Sequence, residues 1–474
     1  MENKQVTITW LNVTTFTNWK GNPVGIVRTE MELIRYLLKS NNPHVKFCIY
    51  ESKSRLFREV EAFKLNILLK DYLTNKKIKK DFLNILLSFI RINWKEKFKN
   101  KVLNIIPSLP FYIGKIFWYF SLVFFRISRF LYRIFRYIYL KNRSKFTNIS
   151  NFINRFQLEN KLKPKKYMLF KKNDVFISVG MDWNLADFLP TLYKLKKLHL
   201  FKVVLFCYDI IPIKLPHLCL FNVANSFSLY FCNLAWVADK VLSISQNSQN
   251  DLATFLNEIG TPVPKLSTIE LGDNIDNKTG KKKEISDAVT DLLKKKYLLC
   301  VCSIESRKNH ELLYKIYSRL SVVGYKNLPI LVLVGFNGWG VNDLIDKIQK
   351  DPSTQNKIKI LHDLTDYELS LLYKNCLFTL FPSLYEGWGL PVRESLAWGK
   401  FCLSSNSSSL PEAGKNFVEY LDPIDTMEWM RKIKFFLENP EKVKEKEEYI
   451  RKNFKPRSWH QFGEDLFKSI QDEN

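Results

Sequence analysis

The sequence lacks the ligand sets and nucleophile motifs that identify many metalloenzymes and hydrolases. Its six histidines show no paired ligand spacing, and no Asp-any-Asp cluster stands at the end of a predicted strand. It has no nucleophile elbow, so nothing supports a Ser-His-Asp hydrolase. The eight cysteines are scattered singly. Cys300 and Cys302 lie two apart on a predicted strand, and we interpret them as buried free thiols on one face rather than a metal or redox pair.

The N-terminus begins polar and runs directly into a strand pattern, without the basic and then apolar pattern of a secretion signal. We therefore expect the protein on the cytoplasmic side of the cell. Basic charge is abundant: 73 Lys and Arg against 47 Asp and Glu give a formal net charge of +26. This excess favours an anionic partner such as nucleic acid, nucleotide phosphates or an acidic membrane surface.

Short apolar runs alternate with helical patterns along both halves of the 474-residue chain. This alternation predicts an α/β fold with two Rossmann-like domains that face a cleft. We place the linker within a polar, charged stretch at 273–296. The predicted parts are an N-terminal domain over 1–275, a C-terminal domain over 276–455, and a last helical segment over 456–474.

Strands are predicted at 6–15, 46–50, 174–180, 203–208 and 241–244 in the first half, and near 297–302, 329–334, 357–361, 377–381 and 401–404 in the second.

A basic, aromatic segment at about 57–172 interrupts the first domain. Residues 91–145 carry thirteen Lys or Arg against one acid, Glu96. Large apolar side chains surround a stripe of arginines at three- and four-residue steps, which predicts an amphipathic helix that binds anionic lipid. The stripe consists of Arg126, Arg129, Arg133 and Arg136.

Other interpretations of this insert stay open. A core helix with a solvated basic face would need no membrane. A transmembrane span over 102–125 has sufficient length, although Lys115, Pro107 and Pro110 interrupt it. Nucleic acid is disfavoured as a partner, because the apolar side chains would have no role against phosphates.

Two strand exits in the second half have the composition of an anion site. After the strand at 377–381, a turn with two glycines leads to Pro391, which fits the first position of a helix whose free N–H groups attract anions. Glu386 and Glu394 flank this turn, where acids could also simply complement the helix dipole. The other exit, 302–310, carries Arg307 and Lys308, which suit a diphosphate or form a solvated basic helix start.

Together these segments resemble the donor-binding half of glycosyltransferase family 4, whose members are retaining enzymes of the GT-B fold, and in particular a mannosyltransferase-like subgroup of surface-polysaccharide enzymes. The resemblance covers roughly 295–425 and includes the family's spacing of Glu386 and Glu394. Its motifs are Asp366-Tyr-Glu-Leu, Leu372-Tyr, Phe381-Pro-Ser-Leu-Tyr-Glu-Gly-Trp-Gly-Leu-Pro-Val-Arg-Glu-Ser-Leu-Ala-Trp-Gly and Ser409-Leu-Pro-Glu412.

The resemblance implies that Glu394 hydrogen-bonds the ribose of a nucleotide sugar and that Glu386 faces the sugar. N–H groups near Gly389 and Leu390 would hold phosphate or sugar oxygens. Lys308 matches the family's phosphate lysine.

Ser303 replaces the family's usual arginine, for which Arg307 would compensate. In the first domain Tyr208-Asp209 resembles a His-Asp motif, which places Asp209 near the acceptor; the alternative is a helix-capping role. Gly25 would let the donor diphosphate approach.

The resemblance therefore implies a retaining, metal-independent hexosyltransferase that needs no cofactor besides its nucleotide-diphosphate-sugar donor. With the basic insert, we expect a peripheral protein at the inner face of the cell membrane. It would move a hexose, with mannose favoured, to a lipid-linked glycan in O-antigen or capsule synthesis. The alternatives are a transferase with a soluble acceptor and a catalytically degenerate GT-B protein that binds membranes.

Anionic vesicles test the arginine stripe. Replacement of its four arginines by glutamine should weaken vesicle binding at low salt by roughly a thousandfold, since each basic residue near such a surface contributes about 1 kcal/mol. Co-sedimentation measures this effect. Glutamine at the four linker residues Lys278, Lys281, Lys282 and Lys283 is the charge-matched control. If the unmodified protein ignores anionic vesicles, the membrane interpretation is wrong.

Overall fold

The computed structural model describes residues 7–19, 25–73, 170–220, 223–273 and 285–471. The chain divides into two compact units, residues 1–62 with 166–474 and residues 63–165. The described part of the second unit is residues 63–73, so the arginine stripe and the possible span at 102–125 lie outside the described residues. Among the described helices, none is long and apolar enough to cross a membrane.

The first unit contains two sheets. The first has the order β3-β2-β1-β4-β5-β6-β7, and its neighbours are parallel except for the antiparallel pair β2 and β3. Its strands are β1 (Thr9–Asn12), β2 (Val45–Glu51), β3 (Leu56–Val60), β4 (Val175–Ser178), β5 (Lys202–Cys207), β6 (Lys240–Ser243) and β7 (Lys265–Thr268).

The second sheet is parallel throughout, with the order β10-β9-β8-β11-β12-β13. Its strands are β8 (Tyr297–Val301), β9 (Ile330–Val334), β10 (Ile358–Leu361), β11 (Thr379–Phe381), β12 (Cys402–Ser405) and β13 (Glu419–Leu421). The two Rossmann-like domains predicted from the sequence are thereby confirmed.

Helices connect the strands in both domains. Up to the domain boundary they are α1 (Thr14–Asn18), α2 (Gly25–Ser40), α3 (Ala62–Leu73), α4 (Phe188–His199), α5 (Ile211–Lys214), α6 (Val223–Val237) and α7 (Gln246–Glu258). After it they are α8 (Asp287–Leu293), α9 (His310–Val322), α10 (Asn342–Lys350), α11 (Asp366–Asn375), α12 (Leu390–Ala397), α13 (Leu410–Gly414), α14 (Thr426–Glu438), α15 (Pro440–Asn453) and α16 (Trp459–Gln471).

The predicted strands all appear, but three edge or near-edge strands escaped prediction. β3, β7 and β13 are short and partly exposed, so they lack the continuous apolar runs of buried parallel strands. The position of β3 also shows that the insert is shorter than the predicted 57–172. Its Phe57 ring packs against Phe170 in the first-domain core, with ring centroids 5.6 Å apart, so both ends of the segment predicted at 57–172 belong to this domain.

Local hydrogen bonds set several helix starts. The Thr365 hydroxyl accepts from the Glu368 N–H at 3.2 Å, and the Glu368 carboxylate accepts from the Thr365 N–H at 2.9 Å, which forms a capping box at the start of α11. The same carboxylate accepts from the Ser286 N–H at 3.0 Å and so ties α8 to α11. The capping residue thus also joins two helices that cover one face of the second sheet.

A buried ion pair joins the domain boundary to the second domain. Asp273 Oδ2 accepts from Arg393 Nε at 2.7 Å and from Nη2 at 2.5 Å, and the two side chains are 0% and 5% exposed. Asp273 Oδ1 also accepts from the Arg457 N–H at 2.7 Å. Beyond this point α16 lies against α2 of the first domain, where His460 contacts the Tyr36 ring edge-to-face at 4.9 Å. The Asp273 carboxylate therefore fixes both segments that connect the domains: the domain boundary itself and the segment that leads back to α16.

Replacing Arg393 by methionine should lower the free energy of unfolding by about 3–5 kcal/mol, because Asp273 would stay buried without its charged partner. Denaturant unfolding measures the loss. The double variant R393M/D273N should recover part of it, since the unpaired charge is then removed. Arg431→Met, at an exposed position of α14, is the control. Equal effects of R393M and R431M would contradict the role assigned to the pair.

Candidate functional site

Both sheets have a topological switch point beside their first strand. In the second sheet β8 and β11 are neighbours, and the connections from these strands diverge to opposite sides. In such folds ligands bind beyond the carboxyl ends of the strands at this point. The two exits are residues 302–309 after β8 and residues 382–389 after β11. These are the same two segments that the sequence singled out as an anion site.

The turn after β11 is held by backbone geometry and serine side chains. Gly389 has a φ of +127°, and a Cβ at this position would lie 2.7 Å from Leu410 Cδ2, so glycine is required. Ser409 Oγ donates to the carbonyls of Glu386 and Trp388, each at 2.8 Å, and the Glu386 N–H donates to Ser408 Oγ at 2.7 Å. The position of Glu386 is therefore fixed from both sides.

The Glu386 carboxylate is buried between two cations. Oε1 accepts from Lys308 Nζ at 2.5 Å and from Ser383 Oγ at 2.6 Å, and Oε2 accepts from Arg307 Nη1 at 2.9 Å. Arg307 also donates to Glu305 Oε1 at 2.7 Å and to the Tyr385 carbonyl at 2.6 Å. The fold thus brings together the predicted residues of both strand exits.

The charges within this cluster control its protonation. Burial raises the pKa of Glu386, but the charges of Arg307 and Lys308 and its hydrogen bonds outweigh burial and lower this pKa to about 2. Burial lowers the pKa of Arg307, and the Glu386 and Glu305 carboxylates outweigh it and raise this pKa above its usual value. Glu386 and Arg307 are therefore charged at neutral pH, and Arg307 is shared between the Glu386 and Glu305 carboxylates.

Asp209 follows β5 of the first domain and lies opposite the turn that carries Glu386. A Cβ added to Gly387 would collide with the Tyr208 carbonyl oxygen and lie 3.0 Å from Asp209 Cβ, so the two domains are in close contact here. Asp209 Oδ1 accepts from the Ile211 N–H at 3.0 Å, but the residue that caps α5 is Ile210, so Asp209 is not the N-cap. The Arg307 guanidinium is the charge that acts most strongly on Asp209. Burial raises the pKa of Asp209 above its usual value, although the Arg307 charge opposes this shift.

Glu394 lies on α12 and faces the first domain. Its Oε2 accepts from the Tyr373 hydroxyl at 3.1 Å, and its Oε1 is 3.8 Å from Arg28 Nη1 on α2. Burial raises the pKa of Glu394, while the Arg28 charge and the Tyr373 hydroxyl oppose the rise. Among the described residues, Oε1 of Glu394 has only this long ion pair, and the side chain is 13% exposed.

The remaining predicted residues lie at the margins of this cluster. Leu390 is the first residue of α12 and is partly exposed. Ser303 follows β8, and Gly25 begins α2 with a φ of +51° and an open space around it. Within the described ranges, Ser303 forms no side-chain hydrogen bond with Glu386, Arg307 or Lys308.

Sequence reasoning missed the contacts that bring the two domains together. The Glu412 carboxylate accepts from the N–H groups of Gln246 and Asn247, at 2.7 and 2.8 Å, at the start of α7. Asp251 Oδ2 accepts from the Tyr385 hydroxyl at 2.6 Å. Glu412 could have been recognised from the sequence, because it is the last residue of the motif Ser409-Leu-Pro-Glu412. Asp251 belongs to no motif that indicates a contact.

Comparison with known proteins agrees with this geometry. Residues 281–455 match the model of the family described as "Glycosyl transferases group 1". Over 129 residues the chain is 32% identical to the O-antigen chain mannosyltransferase B of Escherichia coli, which covers 27% of this chain and 33% of that protein. It is 24% identical over 236 residues to the serotype-specific mannosyltransferase WbdA of Escherichia coli, over 48% of this chain and 29% of the relative. The matches span a third or less of both relatives.

Among solved structures, that of Anabaena HepE in complex with UDP aligns over 98% of this chain and 100% of its own, with a TM-score of 0.54 and 12% identity. This likeness supports the GT-B fold. The resemblance stated from the sequence is confirmed, since the second domain matches the group 1 family model and the curated relatives are mannosyltransferases.

Acid unfolding tests the Glu386 cluster. Because the folded pKa of Glu386 is about 2 against an ordinary 4.5, its ionisation contributes about 3 kcal/mol above pH 4.5, and this contribution is lost as the pH falls towards 2. Glu386→Gln should be less stable than the unmodified protein at neutral pH, and the difference should shrink below pH 4.5. Glu448→Gln, at an exposed site of α15, is the control. A pH-independent difference for E386Q would contradict the assignment.

Proposed function

We propose that this protein is a retaining glycosyltransferase that moves a hexose, with mannose favoured, from a nucleotide-diphosphate sugar to a lipid-linked glycan of O-antigen or capsule synthesis. The observation that carries the proposal is the Glu386 carboxylate, which Arg307 and Lys308 hold in a turn whose next residue, Gly387, lies against Asp209 of the first domain. The relatives support mannose, because their names describe mannosyltransferases and one of them an O-antigen chain enzyme.

The two cations are suited to the diphosphate of the donor. Arg307 and Lys308 lie at the exit of β8 beside the start of α9, where free N–H groups also favour an anion. Both are held in place before the ligand arrives, Arg307 by Glu305 and Glu386 and Lys308 by Glu386. The site would therefore stabilise the charge that develops on the leaving nucleoside diphosphate with little reorganisation.

Glu394 is the residue that would bind the ribose. Its carboxylate stands in the first part of α12, oriented by the Tyr373 hydroxyl and near Arg28 of the first domain. A carboxylate with one weakly engaged oxygen accepts hydrogen bonds from a pair of ribose hydroxyls well. The N–H groups near Gly389 and Leu390 would hold phosphate or sugar oxygens on the same helix start.

The environment of Glu386 argues against a covalent glycosyl-enzyme intermediate. Both of its oxygens already accept charge-assisted hydrogen bonds, and its lowered pKa makes it a poor nucleophile. We therefore favour front-face displacement. The bond from the anomeric carbon to the phosphate oxygen breaks, the acceptor oxygen bonds to the same face, and the acceptor proton passes to the leaving phosphate. Glu386 would position the sugar and Asp209 the acceptor.

No step of this mechanism needs a metal ion, because Arg307, Lys308 and the helix starts supply the positive charge. We place the enzyme on the cytoplasmic side, peripheral at the inner face of the cell membrane. The basic segment, with Arg126, Arg129, Arg133 and Arg136, would hold it beside a lipid-linked acceptor. A soluble acceptor would leave that segment without a role.

A thermal-shift screen of GDP-mannose, other GDP-sugars and UDP-sugars tests the donor assignment. GDP-mannose should stabilise the protein, by about 2.7 kcal/mol at a concentration of 100 times Kd. Replacement of Glu394 by alanine should weaken the affinity roughly 10- to 100-fold, since a hydrogen bond to a charged group is worth about 1.5–3 kcal/mol. Calorimetry measures the affinities.

Glu441→Ala, at an exposed position near the start of α15, is the control and should bind the donor like the unmodified protein. A response to UDP-sugars alone would change the assigned base and sugar but leave a transferase. Absence of binding to every nucleotide sugar, or an E394A affinity equal to that of the unmodified protein, would remove the proposal.

A further inference from the structure

Three side chains with metal-binding atoms meet at the end of β8, outside the cleft residues described above. Cys300 lies in β8, Cys302 directly follows it, and His310 is the first residue of α9. Cys300 Sγ is 3.9 Å from Cys302 Sγ and 3.9 Å from His310 Nε2, and Cys302 Sγ is 3.5 Å from His310 Nε2. The two thiols share one face, as the sequence predicted, and the fold adds an imidazole.

These separations match the edges of a zinc coordination tetrahedron. With Zn–S bonds of about 2.3 Å and Zn–N bonds of about 2.0–2.1 Å at tetrahedral angles, two sulfurs lie about 3.8 Å apart and a sulfur and a nitrogen about 3.6 Å apart. All three distances in the protein are within about 0.3 Å of these values. One ion could therefore reach all three atoms without a change of backbone.

The surroundings of His310 point to the same ligand. The imidazole is 1% exposed, and its Nε2 faces the two sulfurs. Its Nδ1 is buried with no hydrogen-bond partner among the described residues. The position of Nε2, which faces both sulfurs, is the observation that indicates a metal ion. A metal ion would bind Nε2 strongly, whereas two thiols provide only weak donors and acceptors. Nδ1 would keep the ring proton and gains no partner from the ion.

We propose that Cys300, Cys302 and His310 form a binding site for Zn²⁺. Two thiolates and one imidazole are ligands typical of this ion, and thiolates exclude the hard cations Mg²⁺ and Ca²⁺. The group has three members within the described part of the chain, so a water molecule would complete the tetrahedron. Cys302 is partly exposed, which gives the ion a route of entry.

The ion would position the loop between β8 and α9. The three ligands enclose the loop Ser303–Asn309, which carries Arg307 and Lys308. An ion bound at both ends of the loop would fix its closure between β8 and α9 and so restrict the position of the two cations. The site does not depend on the proposed transferase activity, because its ligands bind the metal and not the donor.

Metal analysis and spectroscopy of the full chain test the site directly. The protein, purified without chelator and dialysed against a weak one, should retain one equivalent of Zn²⁺. After removal of this metal, titration with Co²⁺ should produce the thiolate charge-transfer and ligand-field absorptions of a tetrahedral site, and Zn²⁺ should displace them. Zn²⁺ should also raise the unfolding temperature of the metal-free protein.

Cys302→Ser should weaken Zn²⁺ affinity by more than about tenfold. Loss of a residue that only hydrogen-bonds a metal ligand already weakens metal affinity by about that factor, and Cys302 would be a ligand itself. It should also abolish the stabilisation by Zn²⁺. Cys376→Ser, at a buried thiol in the same domain, is the matched control and should leave metal binding unchanged. Circular dichroism confirms that both variants fold.

The proposal is overturned if the unmodified protein binds no Zn²⁺ in competition with a weak chelator, or if C302S and C376S bind it equally. It is also overturned if Cys300 and Cys302 are found as a disulfide and the reduced protein takes up no metal.

Discussion

The structure of the cleft depends on the pairing of one buried carboxylate with two cations. Glu386 is 7% exposed, and its ionised form persists only because Arg307 and Lys308 lie within hydrogen-bonding distance. The same contacts keep both cations oriented towards the cleft. A single charge cluster therefore fixes the turn after β11 relative to the loop after β8.

This arrangement places strict demands on the surrounding backbone. The turn must pass close to the first domain at Gly387 and bend sharply at Gly389, where side chains would collide with Tyr208 and Leu410. The domains are held at this distance by Glu412 at the start of α7 and by Asp273, which binds Arg393. Stability and ligand geometry thus rest on some of the same polar contacts. Because Asp273 and Arg393 are buried, a substitution of either should affect both properties.

Local pattern was sufficient to predict much of the fold and part of the site. Buried parallel strands such as β5 and β9 are continuous apolar runs, so they could be located from the sequence alone. β7 and β13 could not, because an edge strand owes its conformation to one neighbour rather than to its composition. The contact of Asp251 with Tyr385 escaped for a related reason, since 134 residues separate the two side chains.

The sequence by itself determined the α/β alternation, the glycines of the turn, and the residue types that could bind a nucleotide sugar. These features depend on local periodicity and backbone conformation, which neighbouring residues control. Only the tertiary structure decided that Glu386 is paired with two cations, that Asp209 lies against Gly387, and that His310 joins Cys300 and Cys302. Such contacts arise where separate strand ends meet at one sheet edge, and burial there sets the charge states that the isolated residues would not have.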